Sequence, residues 1–99
     1  MAVESRVFVR GLHLAYLDFG GAGVPVVALH GHFGRSRMWA GLAESLAPDY
    51  RVVALEQRGH GHSDRDGDFG REVYVADAAA FIRHLDAGPV VVLGHSRAE

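Results

Sequence analysis

The sequence predicts an α/β fold, a mostly parallel sheet with an N-terminal β-hairpin and flanking helices. Two observations lead there. Three short runs, VPVVALH (24–30), RVVALE (51–56) and PVVVLG (89–94), are continuously apolar and rich in valine. Runs of that kind suit parallel strands covered on both faces. Between them lie stretches of helical period joined by short connections, and the order β-α-β-α-β argues right-handed crossovers.

Each element has its own signal. Residues 6–10, RVFVR, alternate apolar and polar, Gly11 breaks the run, and LHLAYLDF (12–19) follows. Two short strands around Arg10-Gly11 read as a hairpin. Gly20-Gly21-Ala22-Gly23 is a turn into the first apolar run. Ser36 is a candidate cap for a helix whose Trp39, Leu42, Ala43 and Leu46 form one stripe, and Pro48 ends it. RGHGHSDRDGDFG (58–70) is polar and glycine-rich, hence loop. From Arg71 to Asp86 a second stripe runs through Val75, Ala78, Ala79, Ile82 and Leu85, and Gly88-Pro89 closes the helix. There is no repeat, no low-complexity linker and no second domain.

Composition narrows the function. Ninety-nine residues allow one small domain at most, and 48% hydrophobic with 22% charged residues are globular values. A net charge of −2 leaves no electrostatic footprint for nucleic acid or an anionic membrane. All ten basic residues are arginines, scattered along the chain. The absence of cysteine removes disulfides, thiolate metal sites and a cysteine nucleophile together. No signal-peptide run and no membrane-length apolar run is present, so a cytoplasmic protein is expected.

Three stretches can carry chemistry. Gly94-His95-Ser96-Arg97-Ala98 places a serine between small residues directly after a strand. A tight turn there needs small neighbours, lifts the hydroxyl above the sheet edge and aims the next amide at an oxyanion. Taken alone, the same serine serves equally well as a helix N-cap. His30-Gly31-His32-Phe33 ends the first apolar strand, where ligands collect in open parallel sheets. The His32 amide would be a second oxyanion donor beside that of Arg97. The third stretch, Glu56-Gln57-Arg58-Gly59-His60-Gly61-His62-Ser63-Asp64, reads as a structural loop rimming a pocket. The alternative makes His60, His62 and Asp64 metal ligands in an H-x-H-x-D pattern. That pattern wants a histidine next, and Arg65 stands there. His13 and His84 carry less information, the latter suiting the end of a helix.

Taken in order, these stretches resemble the α/β-hydrolase superfamily, serine-nucleophile type. LHGHFGRSRMW is similar to its HG-x oxyanion segment. EQRGHGHSD is similar to its D-x-R-G-x-G-x-S segment, with Glu56 where aspartate is usual, and GHSRA is similar to its nucleophile elbow. The resemblance covers essentially all 99 residues. It implies the strand order 1-2-4-3-5, Ser96 as nucleophile, and the backbone amides of His32 and Arg97 as the oxyanion hole. Phe33, Trp39 and His95 then border the substrate, and neither cofactor nor metal is required. The substrate class is a small ester, lactone or related molecule cleaved at an acyl or C–C bond.

The superfamily places its triad acid and histidine after the serine, and neither is matched here. The resemblance therefore implies that residues 1–99 are the N-terminal part of the fold, truncated after the nucleophile elbow and expected to be inactive alone. Serine without a base is a weak nucleophile. Two other functions stay open: a non-catalytic fragment that associates with itself through an open sheet edge, and a metal-dependent hydrolase using His60, His62 and Asp64.

Overall fold

The computed structural model describes residues 3–30, 39–46, 49–59, 63 and 71–94. Chain order is β1 (Val3–Val9), β2 (Leu12–Asp18), β3 (Pro25–Leu29), α1 (Ala40–Leu46), β4 (Arg51–Leu55), α2 (Arg71–Leu85) and β5 (Val91–Gly94). The strands form one sheet in the order β1-β2-β4-β3-β5, as the resemblance implies. β1 pairs antiparallel with β2, and β2 antiparallel with β4. β3 runs parallel to both β4 and β5.

The hairpin turn follows from two residues. Val9 faces Leu12, so Arg10 and Gly11 alone make the connection. Both have positive φ, 50° and 81°, which matches the right-handed twist of the flanking strands. A further left-handed residue, Gly21, has φ 106°, and a side chain there would collide with the Tyr50 carbonyl. That glycine lets the turn after β2 lie against the segment entering β4.

β3 and β4 are buried almost end to end, which explains their lack of polar alternation. Their residues alternate between two cores. Val27, Leu29, Val53 and Leu55 join Val7, Leu14 and Phe81 on the α2 side. Val26, Ala28, Val52 and Ala54 join Leu17, Trp39 and Ala43 on the α1 side. The two helices thus cover opposite faces. Each fully buried valine or leucine contributes about 1.5–3 kcal/mol through loss of apolar surface from water.

α2 spans the predicted residues, but its buried face differs from the predicted stripe. Val75 is 62% exposed, while Phe81 and Asp77 are the helix's most buried side chains. Ala78, Ile82 and Leu85 do pack on the core. The pattern misleads because a charged residue occupies the middle of the inward face. β5 departs in a different way. It pairs only with β3 among the described residues, and Val91 and Val92 are 48% and 53% exposed. Val91 lies beside Val26 and Val92 beside Val27, so the two point to opposite faces. No described helix is long and apolar enough to cross a membrane.

One ion pair ties the end of β2 to the start of β4. Arg51 donates from Nη2 to Asp18 Oδ2 at 2.6 Å, and its Nε approaches both carboxylate oxygens at 3.2 and 3.3 Å. The Gly20 amide adds a hydrogen bond to Oδ1 at 2.9 Å. Burial alone would raise the Asp18 pKa. The Arg51 hydrogen bond, the Gly20 amide and the Arg51 charge outweigh it and hold the carboxyl below its ordinary 3.8. A depressed carboxylate contributes stability above its unfolded value and loses it as pH falls through the folded one. Urea unfolding from about pH 6 to pH 2 should therefore show Asp18→Asn less stable than wild type at the upper end. The two should converge below 3.8. A gap that persists in acid would exclude the ion pair as its source.

Candidate active site

The sheet register sets the ends of the three strands that precede the candidate segments side by side. Leu29 of β3 pairs with Leu55 of β4 on one side and with Gly94 of β5 on the other. Three parallel strands thus end level and adjacent. Residues 30–33, 56–64 and 95–98 come next in the sequence, and open α/β sheets hold their ligands at the carboxyl edge of their strands. His32, Phe33, His95, Ser96 and Arg97 lie outside the described residues, as do His60, His62 and Asp64. Among the described residues, no group of three His, Cys, Asp or Glu side chains could hold a metal ion.

Trp39 is the one proposed substrate neighbour that is described. It stands just before α1 and packs with Leu17, Val26, Ala28, Ala43, Val52 and Ala54. Only 9% of it is exposed. Its indole N–H is buried and has no hydrogen-bond partner among the described residues.

Behind the rim lies a buried polar network that the sequence reading did not assemble. His30 is fully buried where β3 ends. The Gln57 backbone N–H donates to its Nε2 at 2.9 Å, and the Gln57 side-chain amide donates to its carbonyl at 2.8 Å. On the other flank of β4, Glu56 N–H donates to the Ala15 carbonyl at 2.9 Å. An antiparallel pair in this register would return a second backbone bond. Instead, Ala15 N–H donates to the Ser63 hydroxyl at 2.7 Å, and that hydroxyl donates to the Glu56 carbonyl. Ser63 thus relays a ladder bond that the two backbones do not make directly.

The third tie is ionic. Arg58 Nε and Nη2 donate to the two oxygens of Asp77 at 2.7 and 2.9 Å. Arg10, from the hairpin turn, donates to Asp77 Oδ1 at 3.0 Å. Asp77 is 1% exposed and Arg58 5%. Planar, forked geometry is what makes an arginine–carboxylate pair both strong and directional. Tyr74, one turn before Asp77 on α2, donates its hydroxyl to the Arg58 carbonyl at 3.3 Å. The chain leaving β4 is therefore fastened to β2, β3, α2 and, through Asp77, the hairpin. The available sequence signal was an acid at a core-facing helical position, one turn before Phe81, with an arginine in the preceding loop.

Asp77→Leu would remove the carboxylate that faces the buried Arg58 guanidinium, and the expected loss is about 3–5 kcal/mol. Arg58→Met combined with Asp77→Leu removes both charges and should recover most of that loss in urea unfolding. A single variant that costs no more than the double would show that the pair does not neutralise a buried charge.

The α/β hydrolase fold family matches residues 24–98. A non-heme haloperoxidase of Rhodococcus erythropolis is 39% identical over 87% of this chain and 32% of its own length. A non-heme chloroperoxidase of Streptomyces lividans is 37% identical, with the same coverage. The chain spans about a third of the length of the curated relatives it matches. Among solved structures, E-2-(acetamidomethylene)succinate hydrolase superposes with a TM-score of 0.90 at 29% identity, over 97% of this chain and 36% of the other. An epoxide hydrolase of Vigna radiata superposes at 0.91 with 26% identity, over 98% and 32%. With five strands in the order β1-β2-β4-β3-β5 and the family's sequence match running over residues 24–98, the chain belongs to the α/β hydrolase fold family.

Proposed function

We propose that the chain carries the nucleophile-bearing part of a serine hydrolase that cleaves a small ester, lactone or related acyl or C–C substrate. The level ending of β3, β4 and β5 is the observation that carries this reading. It supports a shared rim for the segment with His32, the loop after β4, and the segment with Ser96. In the proposed reaction the Ser96 hydroxyl attacks the acyl carbonyl. The amides of His32 and Arg97 receive the oxyanion, and removing one such donor typically costs about 10²–10³ in rate. Phe33 and His95 border the acyl group. Trp39, packed into the core, contributes at most one face or its indole N–H.

A base must take the Ser96 proton, and no histidine–acid pair is matched to it within residues 1–99. The 99-residue polypeptide is therefore proposed to turn over little by itself. Without the base, about 10³–10⁴ over water is a generous limit. The two haloperoxidase relatives favour a variant in which hydrogen peroxide replaces water in attacking the acyl-serine. That step forms a peracid and returns the serine hydroxyl. A fluorophosphonate probe should label Ser96 in the protein isolated from its source cell, and Ser96→Ala should abolish labelling and ester turnover. Turnover that survives Ser96→Ala would overturn the assignment.

A second reading rests on β5. Its Val91 and Val92 present apolar surface on both faces of a strand that is an edge among the described residues. Such an edge is a template for pairing with another strand, and a second copy of the chain is the proposed partner. Sedimentation should show concentration-dependent association that Val92→Lys suppresses. A monomer at all concentrations would remove this reading.

A further inference from the structure

We propose that His30 is a positioning residue, whose imidazole and carbonyl lock the segment leaving β3 to the segment leaving β4. The purpose of the lock rests on the function proposed above, in which the residues after His30 supply an oxyanion donor. The lock itself is read from the fold.

Regular pairing between β3 and β4 ends at Leu29 and Leu55. One residue later the rungs no longer run from backbone to backbone. His30 Nε2 takes the Gln57 N–H at 2.9 Å, and the Gln57 side chain reaches back to the His30 carbonyl at 2.8 Å. Two side chains thus replace two backbone groups, and together the bonds close a ring between neighbouring strands. On the far side of β4 the Ser63 hydroxyl replaces one of the two rungs between Ala15 and Glu56, while the rung from Glu56 N–H to the Ala15 carbonyl stays direct at 2.9 Å. β4 therefore leaves the sheet with a side-chain link on each flank. Between His30 and Gln57 the contact runs through side chains, which set the spacing of the two strands at this level.

Histidine suits the place for a chemical reason. To accept from a backbone N–H, Nε2 must keep its lone pair, so the ring proton sits on Nδ1. The acceptor is short, rigid and fully buried. An apolar replacement of similar volume would leave the Gln57 N–H without its acceptor inside the protein. Glutamine can bring its side-chain oxygen close to the place of Nε2. It restores the acceptor without restoring the ring.

The test uses the 99-residue chain labelled with nitrogen-15, and needs no turnover. In the wild type, a scalar coupling should connect the Gln57 amide nitrogen to His30 Nε2 across the hydrogen bond. In His30→Leu, the Gln57 amide should exchange with solvent about tenfold faster or more. The amides of Val52 and Val53 in β4 should change little. His30→Gln should return Gln57 to within about threefold of wild type. Unchanged Gln57 exchange in His30→Leu, an equal rise throughout β4, or no rescue by His30→Gln would overturn the proposal. Should His30→Leu not fold, the wild-type spectrum decides, because a protonated Nε2 without the coupling overturns it. Reactivity of Ser96 is measured separately, so the lock and the proposed chemistry fail on different observations.

Discussion

Every backbone N–H and C=O of β3 and β4 must find its partner inside the protein. Helices cover both faces of these strands and neighbouring strands flank both edges, so water is excluded. An unpaired buried donor costs about 1–3 kcal/mol, a large fraction of the stability of a domain this small. Along the strands the ladder meets this demand. At the carboxyl rim the ladder stops, and the demand passes to side chains. His30, Gln57 and Ser63 are buried polar residues at that boundary, and each is bonded to backbone. The rim is thus the place where the sheet exchanges a regular solution for a specific one.

The Arg58–Asp77 pair extends the same logic to charge. Removing two ions from water costs several kcal/mol each, and their attraction often no more than offsets it. Such a pair is a poor source of net stability. What it supplies here is direction, since a forked arginine meets a carboxylate in few geometries. Through Asp77 the chain after β4 is oriented against α2, and Arg10 brings the hairpin turn to the same carboxylate. Arg10 holds a left-handed backbone conformation that a non-glycine residue adopts at some cost. Its bond to Asp77 helps offset that cost.

Under the proposed hydrolase function, a rim held this way is useful because catalysis depends on donors placed before the substrate arrives. A segment fixed by two hydrogen bonds to its neighbour has little reorganisation left to do. The edge at β5 is the opposite case, with valines exposed on both faces. The described residues therefore join a strongly specified interior around β4 to a more exposed β5, which the candidate nucleophile follows in the sequence.

The sequence by itself determined the order and kind of the elements. Valine-rich runs without alternation marked β3 and β4, Arg10-Gly11 marked the hairpin, and helical spacing located α1 and α2. Those signals are local, because burial on both faces, positive φ and a 3.6-residue period each leave a mark within a few positions. The resemblance in three short stretches added the strand order. The tertiary structure alone decided which side chains meet. Asp77 interrupts an apolar stripe, and only its encounter with Arg58 and Arg10 explains a charge on the inward face. His30 read as part of a turn-forming pair and Ser63 as part of a glycine-rich loop. Their roles depend on Gln57 and Ala15, which are 27 and 48 residues away. Hydrogen bonds between such distant positions are set by strand register and crossover, which no short window of sequence contains.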